Sequence, residues 1–574
     1  MTLFYKMNRT LAIFFFVFLF SNTLLAQQVK LWVFFKDKCI AGFCADSFFT
    51  EKHHLRNQLM NLPDFDFYDL PVNKKYIAQI NNYCDSITGV SRWFNAVCVY
   101  TDEKRLIQIK ELNFVSEIEI HEFKVTLSDK NHLDDLHNGE INLLKGQIDR
   151  MQGNLFKKNN ITGKNITVAI IDAGFSGYLK SELVKKLRDN KQIKHTYDFI
   201  KKSNNVDCGS SHGTSVLTCI GGSVDSLNIG CAFEADFLLY RTEKAFNEKF
   251  SEEEKWVMAM EEADRQGADV INTSLGYTGR RYFEKDMNGK KSLLSRAANM
   301  ANRKGMLLVC SAGNEGDIDW KIICTPADAD SALAVGAINP WTGIQASWSS
   351  YGPSSDWRVK PNICAYGYVM AADGPYGVEM TLGTSFSSPL VAGFAACVKQ
   401  MMNKISAYDL LTVIEHSADL FPYFDYAHGF GVPQAGYFML PKKQPVPSYV
   451  IHFGSDTLSI IINDDAFVPA YLQIKNYHYS KEDSTYRFIK FMNEKFFKSN
   501  HLDDYGFDNT RSSFVFTEEP GYFYYKFHDI GSPEKVEEYA VLNVRKKNIL
   551  KIPKKETKHN YCFYYKGYYT TAEF

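Results

Sequence analysis

The run Ile166-Thr167-Val168-Ala169-Ile170-Ile171-Asp172-Ala173-Gly174 constrains the fold more than any other stretch. It is almost unbroken in apolar and β-branched residues, so it has no polar face to turn to water. A strand of that kind is covered on both sides, as in a parallel sheet between helices. The rhythm repeats downstream. Strands are expected over Asp236–Arg241, Asp269–Leu275, Met306–Ser311 and Ala332–Ala337, and helices over His212–Ile220, Glu252–Gln266, Leu293–Arg303 and after Ser385. Strands alternating with helices predict an α/β domain with a parallel sheet and helices on both faces. Sites in such sheets lie where strands end and helices begin.

Four polar motifs fall at those junctions. Asp172 closes the first strand, and Ser211-His212-Gly213-Thr214-Ser215 opens an apolar helix. Cys310-Ser311-Ala312-Gly313-Asn314-Glu315-Gly316 follows a buried strand. Gly383-Thr384-Ser385-Phe386-Ser387-Ser388-Pro389 precedes the apolar run Leu390–Ala396. Each has an ordinary reading by itself: a capping carboxylate, a satisfied histidine, a turn asparagine, a capped core helix. Yet a serine at a helix start can attack a carbonyl while free backbone N–H groups steady the resulting oxyanion.

Taken together, in the order Asp172, His212, Asn314, Ser385, the motifs resemble the subtilisin-like serine proteases, over roughly residues 145 to 437. Trp348–Pro353 and Lys360–Gly367 are similar to that family's loops ahead of the nucleophile, and Gly429–Ala435 to its last segment. The resemblance implies a subtilisin-like fold and a serine endopeptidase. Ser385 would be the nucleophile, His212 the base and Asp172 its orienting partner. Asn314 and the Ser385 N–H would form the oxyanion hole. Ser274, Leu275 and Gly276 would pair with extended substrate as an added strand. The S1 pocket would lie between them and Ala312–Gly313, with Glu315 at its rim favouring basic or polar P1 residues. No cofactor is required on this reading; calcium is a structural ion in relatives, but the sequence offers no ligand loop and no metal site is assigned. Ala173 stands where many relatives have Ser or Thr, and Cys208 lies four residues before His212.

The rest of the chain frames this domain. Lys6 and Arg9 precede the apolar run Leu11–Phe20, and Ala26 follows, the pattern of a secretory signal peptide cut after residue 26. The competing reading, an uncleaved anchor, meets an apolar core short for a membrane span. The expected product is exported, whether secreted, periplasmic or on the cell surface. Residues 27–125 alternate strands (Lys30–Phe35, Ser91–Tyr100, Phe114–Ile120) with a helix over Glu103–Leu112. Placed ahead of a protease, this α+β module resembles the propeptide that serves its own enzyme as chaperone and intramolecular inhibitor; the alternative is a permanent accessory domain. Residues 126–145 would be a processing linker, 146–440 the catalytic domain and 441–574 a β-rich accessory domain, a sandwich. A formal charge of −1 gives no field for a nucleic-acid partner. Twelve cysteines in an exported chain permit disulfides, with Cys208, Cys219 and Cys231 either pairing or packing as small hydrophobes. Two rival readings remain: a silent binding protein on the same scaffold, and an esterase. All four catalytic residues stand against the first, and Gly-Thr-Ser-Phe-Ser in place of a Gly-x-Ser-x-Gly elbow against the second.

Overall fold

The computed structural model describes residues 29–38, 42–120, 138–224, 227–243, 251–278, 282–375, 377–442, 444–463, 472–476, 512–516, 521–532, 535–544, 549–555 and 558–573. The proposed signal peptide and most of the proposed linker lie outside them. The chain divides into two compact units, Met1–Ala45 with Phe65–Lys124 and Asp46–Asp64 with Val125–Phe574. Helix α1 (Glu51–Leu59) therefore belongs to the second unit, although the sequence placed it inside the N-terminal module.

The first unit is an antiparallel sheet with strand order β2-β3-β1-β4, built from β1 (Val29–Phe35), β2 (Ser86–Ser91), β3 (Ala96–Thr101) and β4 (Val115–Ile120). Helices α2 (Lys74–Ile80) and α3 (Glu103–Lys110) bury Ile80, Leu106 and Ile109 in the core that contains Leu31, Val33, Val97 and Val99. The single strand expected over Ser91–Tyr100 is instead two. Asn95 takes a left-handed backbone (φ 49°), and its side-chain amide donates to Phe35 O and Asp37 O, which fixes a turn between β2 and β3.

The second unit holds a parallel sheet of seven strands, ordered β11-β10-β9-β8-β5-β7-β6. They are β5 (Thr167–Asp172), β6 (Ile193–Asp198), β7 (Asp236–Arg241), β8 (Val270–Thr273), β9 (Leu307–Ser311), β10 (Ala332–Ile338) and β11 (Ile363–Tyr366). Every residue of β5, β8, β9 and β10 is buried, apolar through most of their length with polar Asp172, Asn272, Thr273 and Ser311 at the carboxyl ends. The strand order reverses beside β5, so the carboxyl ends of β5 and β8 flank the crevice where open α/β sheets bind ligands. Helix α4 (Asn138–Asp149) begins this unit eight residues earlier than the sequence boundary of 146. Buried Gln147 explains why: its amide donates to Ile229 O and its oxygen accepts from Met370 N, so the helix is part of the core rather than linker. Helices α5 (His212–Gly221), α6 (Ser251–Arg265), α7 (Leu293–Arg303), α8 (Thr384–Met401) and α9 (Ala407–His416) cover the sheet. The hairpin β12 (Tyr368–Asp373) and β13 (Gly377–Leu382) runs into α8, which is buried from Thr384 to Lys399.

Beyond residue 441 two sheets enclose one apolar core, as a sandwich does. One is β14 (Tyr449–Phe453), β15 (Thr457–Ile462) and β18 (Ile549–Pro553). The other is β16 (Tyr522–Asp529), β17 (Val536–Asn543), β19 (His559–Tyr565) and β20 (Tyr568–Glu573). The sandwich is seated on the end of the α/β domain: Tyr423 Oη donates to Tyr525 O at 3.2 Å, and Tyr423 packs with Tyr522, Tyr524 and Tyr564. No disulfide joins Cys208, Cys219 and Cys231; Cys219 and Cys231 pack in the core as hydrophobes. Among the described residues no helix is long and apolar enough to cross a membrane.

Candidate active site

The four polar motifs meet at the carboxyl ends of the central strands. Asp172, the last residue of β5, is fully buried, and both carboxylate oxygens face His212 Nδ1, at 2.9 and 3.0 Å. Ala173 N donates to the same carboxylate at 2.8 Å, which fixes its plane. The turn that follows is held against the segment leading to His212. Gly174, at φ +144°, bridges Gly209, and a Cβ there would lie 2.3 Å from Cys208 O. Only glycine allows the two segments so close, and Gly213 N donating to Gly174 O (3.0 Å) completes the tie. His212 then starts α5 with its ring 5.3 Å from that of Phe386, the neighbour of Ser385.

Ser385 stands in the first turn of α8, where backbone N–H groups have no intrahelical acceptor. Its carbonyl is orphaned as well, because Pro389 has no N–H to give four residues on. Ser274, just past β8, supplies the missing donor: its hydroxyl bonds Ser385 O at 2.7 Å and lies 3.3 Å from Ser388 Oγ. The Ser385 hydroxyl donates to Ser274 O at 3.2 Å, so its bond to His212 is not formed in this arrangement. Hydrogen bonds within an unliganded site are often long or unformed and tighten only with substrate present.

Asn314 is exposed, and its orientation is set from one side. Its Oδ1 accepts from Thr384 N and Thr384 Oγ1, both at 2.9 Å, which leaves Nδ2 directed away from that anchor. The nearest atom to a Cβ on Gly383 would be that Nδ2, at 3.5 Å. The Glu315 carboxylate expected at a pocket rim is folded onto its own loop. Oε2 accepts from Asn314 N at 2.7 Å and from Ser350 Oγ at 3.1 Å, and Ser350 Oγ accepts from Glu315 N. Between the two segments expected to flank the pocket lies Cys324: its N–H donates to Ala312 O, and a Cβ on Gly276 would be 2.2 Å from its sulfur. Burial pushes the Cys324 thiol well above its ordinary range, and the Glu315 charge adds to that. Leu275 is buried and Tyr277 bridges Thr325, so Ser274–Gly276 is an extended segment with fixed ends.

Sequence reasoning brought Asp172, His212, Asn314 and Ser385 to one place but missed Thr384, Ser350 and Cys324. Thr384 and Ser350 lay inside recognised motifs, and a signal existed for the first: an asparagine that must present its amide needs donors on its oxygen. Cys324 had none, since only the tertiary approach of Gly276 reveals it. Among the described residues no group of three or more His, Cys, Asp or Glu could hold a metal ion.

The chain is similar to known proteins over two of its regions. Residues 163–432 match the Subtilase family, and residues 30–135 match the Peptidase S8 propeptide domain of Bacteroidota. Subtilisin BL of Lederbergia lenta is 29% identical over 255 residues, 44% of this chain and 83% of that protein. Minor extracellular protease Epr of Bacillus subtilis (strain 168) is 25% identical over 309 residues, 53% of this chain and 43% of that one. Among solved structures, MycP1 with its N-terminal propeptide removed is 24% identical, with a TM-score of 0.43, over 53% of this chain and 98% of that chain.

Proposed function

This chain belongs to the subtilase family and is a serine endopeptidase made as a zymogen, and from that premise we propose that Asp172, His212 and Ser385 form its catalytic triad, with Asn314 in the oxyanion hole. The observation that carries the proposal is the buried Asp172 carboxylate gripping His212 Nδ1 while the ring lies against Phe386, beside Ser385. With Nδ1–H committed to Asp172, Nε2 is the lone pair that takes the Ser385 proton. Ser385 Oγ then bonds to the scissile carbonyl carbon, and the carbonyl oxygen becomes an oxyanion held by Asn314 Nδ2 and the Ser385 N–H. The imidazolium returns its proton to the leaving amine as the C–N bond breaks, and water repeats the sequence on the acyl-enzyme.

Substrate would lie extended along Ser274–Gly276, bonded main chain to main chain, which tolerates varied sequences. The Cys324 side chain takes up space between Gly276 and Ala312, so the S1 pocket favours small P1 residues. Export rests on the N-terminal pattern of residues 1–26 and on the likeness to an extracellular protease. The cut that releases the catalytic domain falls in residues 126–137, ahead of α4. The experiment is fluorophosphonate labelling of purified protein beside Ser385→Ala, with the N-terminus read in the same run. Labelling of the parent alone, with its N-terminus moved past residue 125, is the expected result. Equal labelling of both proteins would remove Ser385 from its role.

A further inference from the structure

Helix α1 lies within the propeptide match by sequence, yet it packs as part of the catalytic unit. It caps the C-terminal end of α6. Thr50 N and Thr50 Oγ1 both donate to Arg265 O, at 3.1 and 3.2 Å, and His53 Nδ1 is 2.8 Å from Asp264 O. Arg56 reaches furthest in: one guanidinium nitrogen donates to Ala268 O at 2.8 Å and another to Asp264 Oδ1 at 2.7 Å, with both side chains fully buried. A cation placed on the free carbonyls of a helix C-terminus also meets the negative end of its dipole.

The receiving surface is shaped for this helix. At Gly267 (φ +77°), in the turn after α6, a Cβ would lie 2.5 Å from His53 N. At Gly305, in the turn after α7, it would lie 2.7 Å from Met60 Sδ. Two turns of the catalytic domain thus lack side chains where the helix sits. If α1 left, the buried Asp264 carboxylate would lose Arg56, the carbonyls of Arg265 and Ala268 would lose these donors, and Asp264 O would lose its contact with His53. All lie just ahead of β8, the strand that ends at Thr273, one residue before Ser274.

We propose that residues 46–64 are an anchor that stays seated on the catalytic domain after the chain is cut ahead of α4. The processed enzyme then carries a propeptide-derived segment as a structural second chain. The inference rests on the zymogen reading, and the test separates the two. In active protein labelled at Ser385, native mass spectrometry should find the labelled catalytic chain in one-to-one complex with a fragment containing residues 46–64. A labelled catalytic chain by itself overturns the anchor, whereas a labelled chain that is never cut overturns the zymogen reading and the two-chain enzyme with it. In full-length Ser385→Ala protein cut at an engineered site within residues 126–137, Arg56→Met and Asp264→Asn should each raise the Kd of the released fragment about 100-fold or more. The double variant should cost less than the two single effects combined, because the ion pair is counted in both. Thr50→Val, a smaller change that keeps the ion pair, should raise Kd about 5-fold. Affinities within about twofold of the parent for both Arg56→Met and Thr50→Val overturn the proposal.

Discussion

Replacing Glu315 by Gln separates two ways in which a carboxylate next to Asn314, the proposed oxyanion donor, can act. If it reads substrate charge from a pocket rim, its loss changes KM for substrates with Lys or Arg at P1 and leaves neutral ones alone. If it braces the loop, as the bonds to Asn314 N and Ser350 Oγ indicate, its loss changes kcat for every substrate. A hydrogen bond to a charged group contributes about 1.5–3 kcal/mol and a neutral one about 1. Exchange for an amide therefore weakens the loop by about 1 kcal/mol, since Glu315 is only half-buried. Asn314 keeps its two bonds from Thr384, so only part of that loss reaches the oxyanion. A 2- to 4-fold fall in kcat is expected, about 0.4–0.8 kcal/mol of barrier. The assay is steady-state kinetics on peptides differing only at P1, at low and high salt. A brace effect is insensitive to salt, whereas a rim charge is screened over about 10 Å at 0.1 M. An unchanged kcat, with a salt-dependent KM shift confined to basic P1 residues, refutes the brace.

Thr384→Val removes one of two donors to Asn314 Oδ1 and the acceptor of Gly313 N, and should lower kcat about 10-fold with KM nearly constant. Cys324→Gly should open the S1 pocket and shift preference in a P1 library from small to large apolar residues; an unaltered profile would place the pocket elsewhere. Lys360 is buried, with its ammonium donating to Ala329 O, Ala332 O and Asn362 Oδ1 at 2.8, 2.7 and 3.1 Å, and burial pushes it down to about 8 from an ordinary 10.5. Between those values the unfolded chain holds the proton and the folded chain does not, so stability rises with pH across that window and the cost of the buried charge is felt below it. Relative to Lys360→Met, the parent should gain up to about 3 kcal/mol from pH 8 to pH 10.5 in denaturant titrations, less to the extent that the three oxygens hold the charge. A flat difference would mean that the ammonium stays protonated throughout.

The α/β fold was legible because β5, β9 and β10 are largely apolar on both faces, and that pattern has few other solutions. The N-terminal module was legible as α+β but not in its division. Nothing in the amphipathic pattern of Glu51–Leu59 says that its buried face meets α6 rather than β1, because Arg56 and His53 read as surface residues until Asp264 is found opposite them. The same limit applies to α4. Its polar sequence looks like linker until the single glutamine at 147 is seen bonded to backbone on two other segments. Buried polar residues with distant partners are invisible to a periodicity argument.

The site was legible by residue type and order, whereas its orientation was not. Type and order could be proposed because nucleophile, base and oxyanion donor are each confined to a few side chains, expected where strands end and helices begin. Orientation depends on groups with no chemistry of their own in the reaction. Thr384 turns the Asn314 amide, Ser350 and Glu315 hold its loop, and Ser274 fills the donor vacancy that Pro389 leaves at Ser385 O. That last bond ties the turn of the nucleophile to the segment on which substrate would lie. A substrate strand that shifts Ser274 therefore moves the carbonyl of Ser385 and the acceptor of its hydroxyl together. If Ser385 is the nucleophile, displacement of its acceptor Ser274 O by a bound peptide would free the hydroxyl to leave that carbonyl, which couples occupation of the cleft to the proposed chemistry.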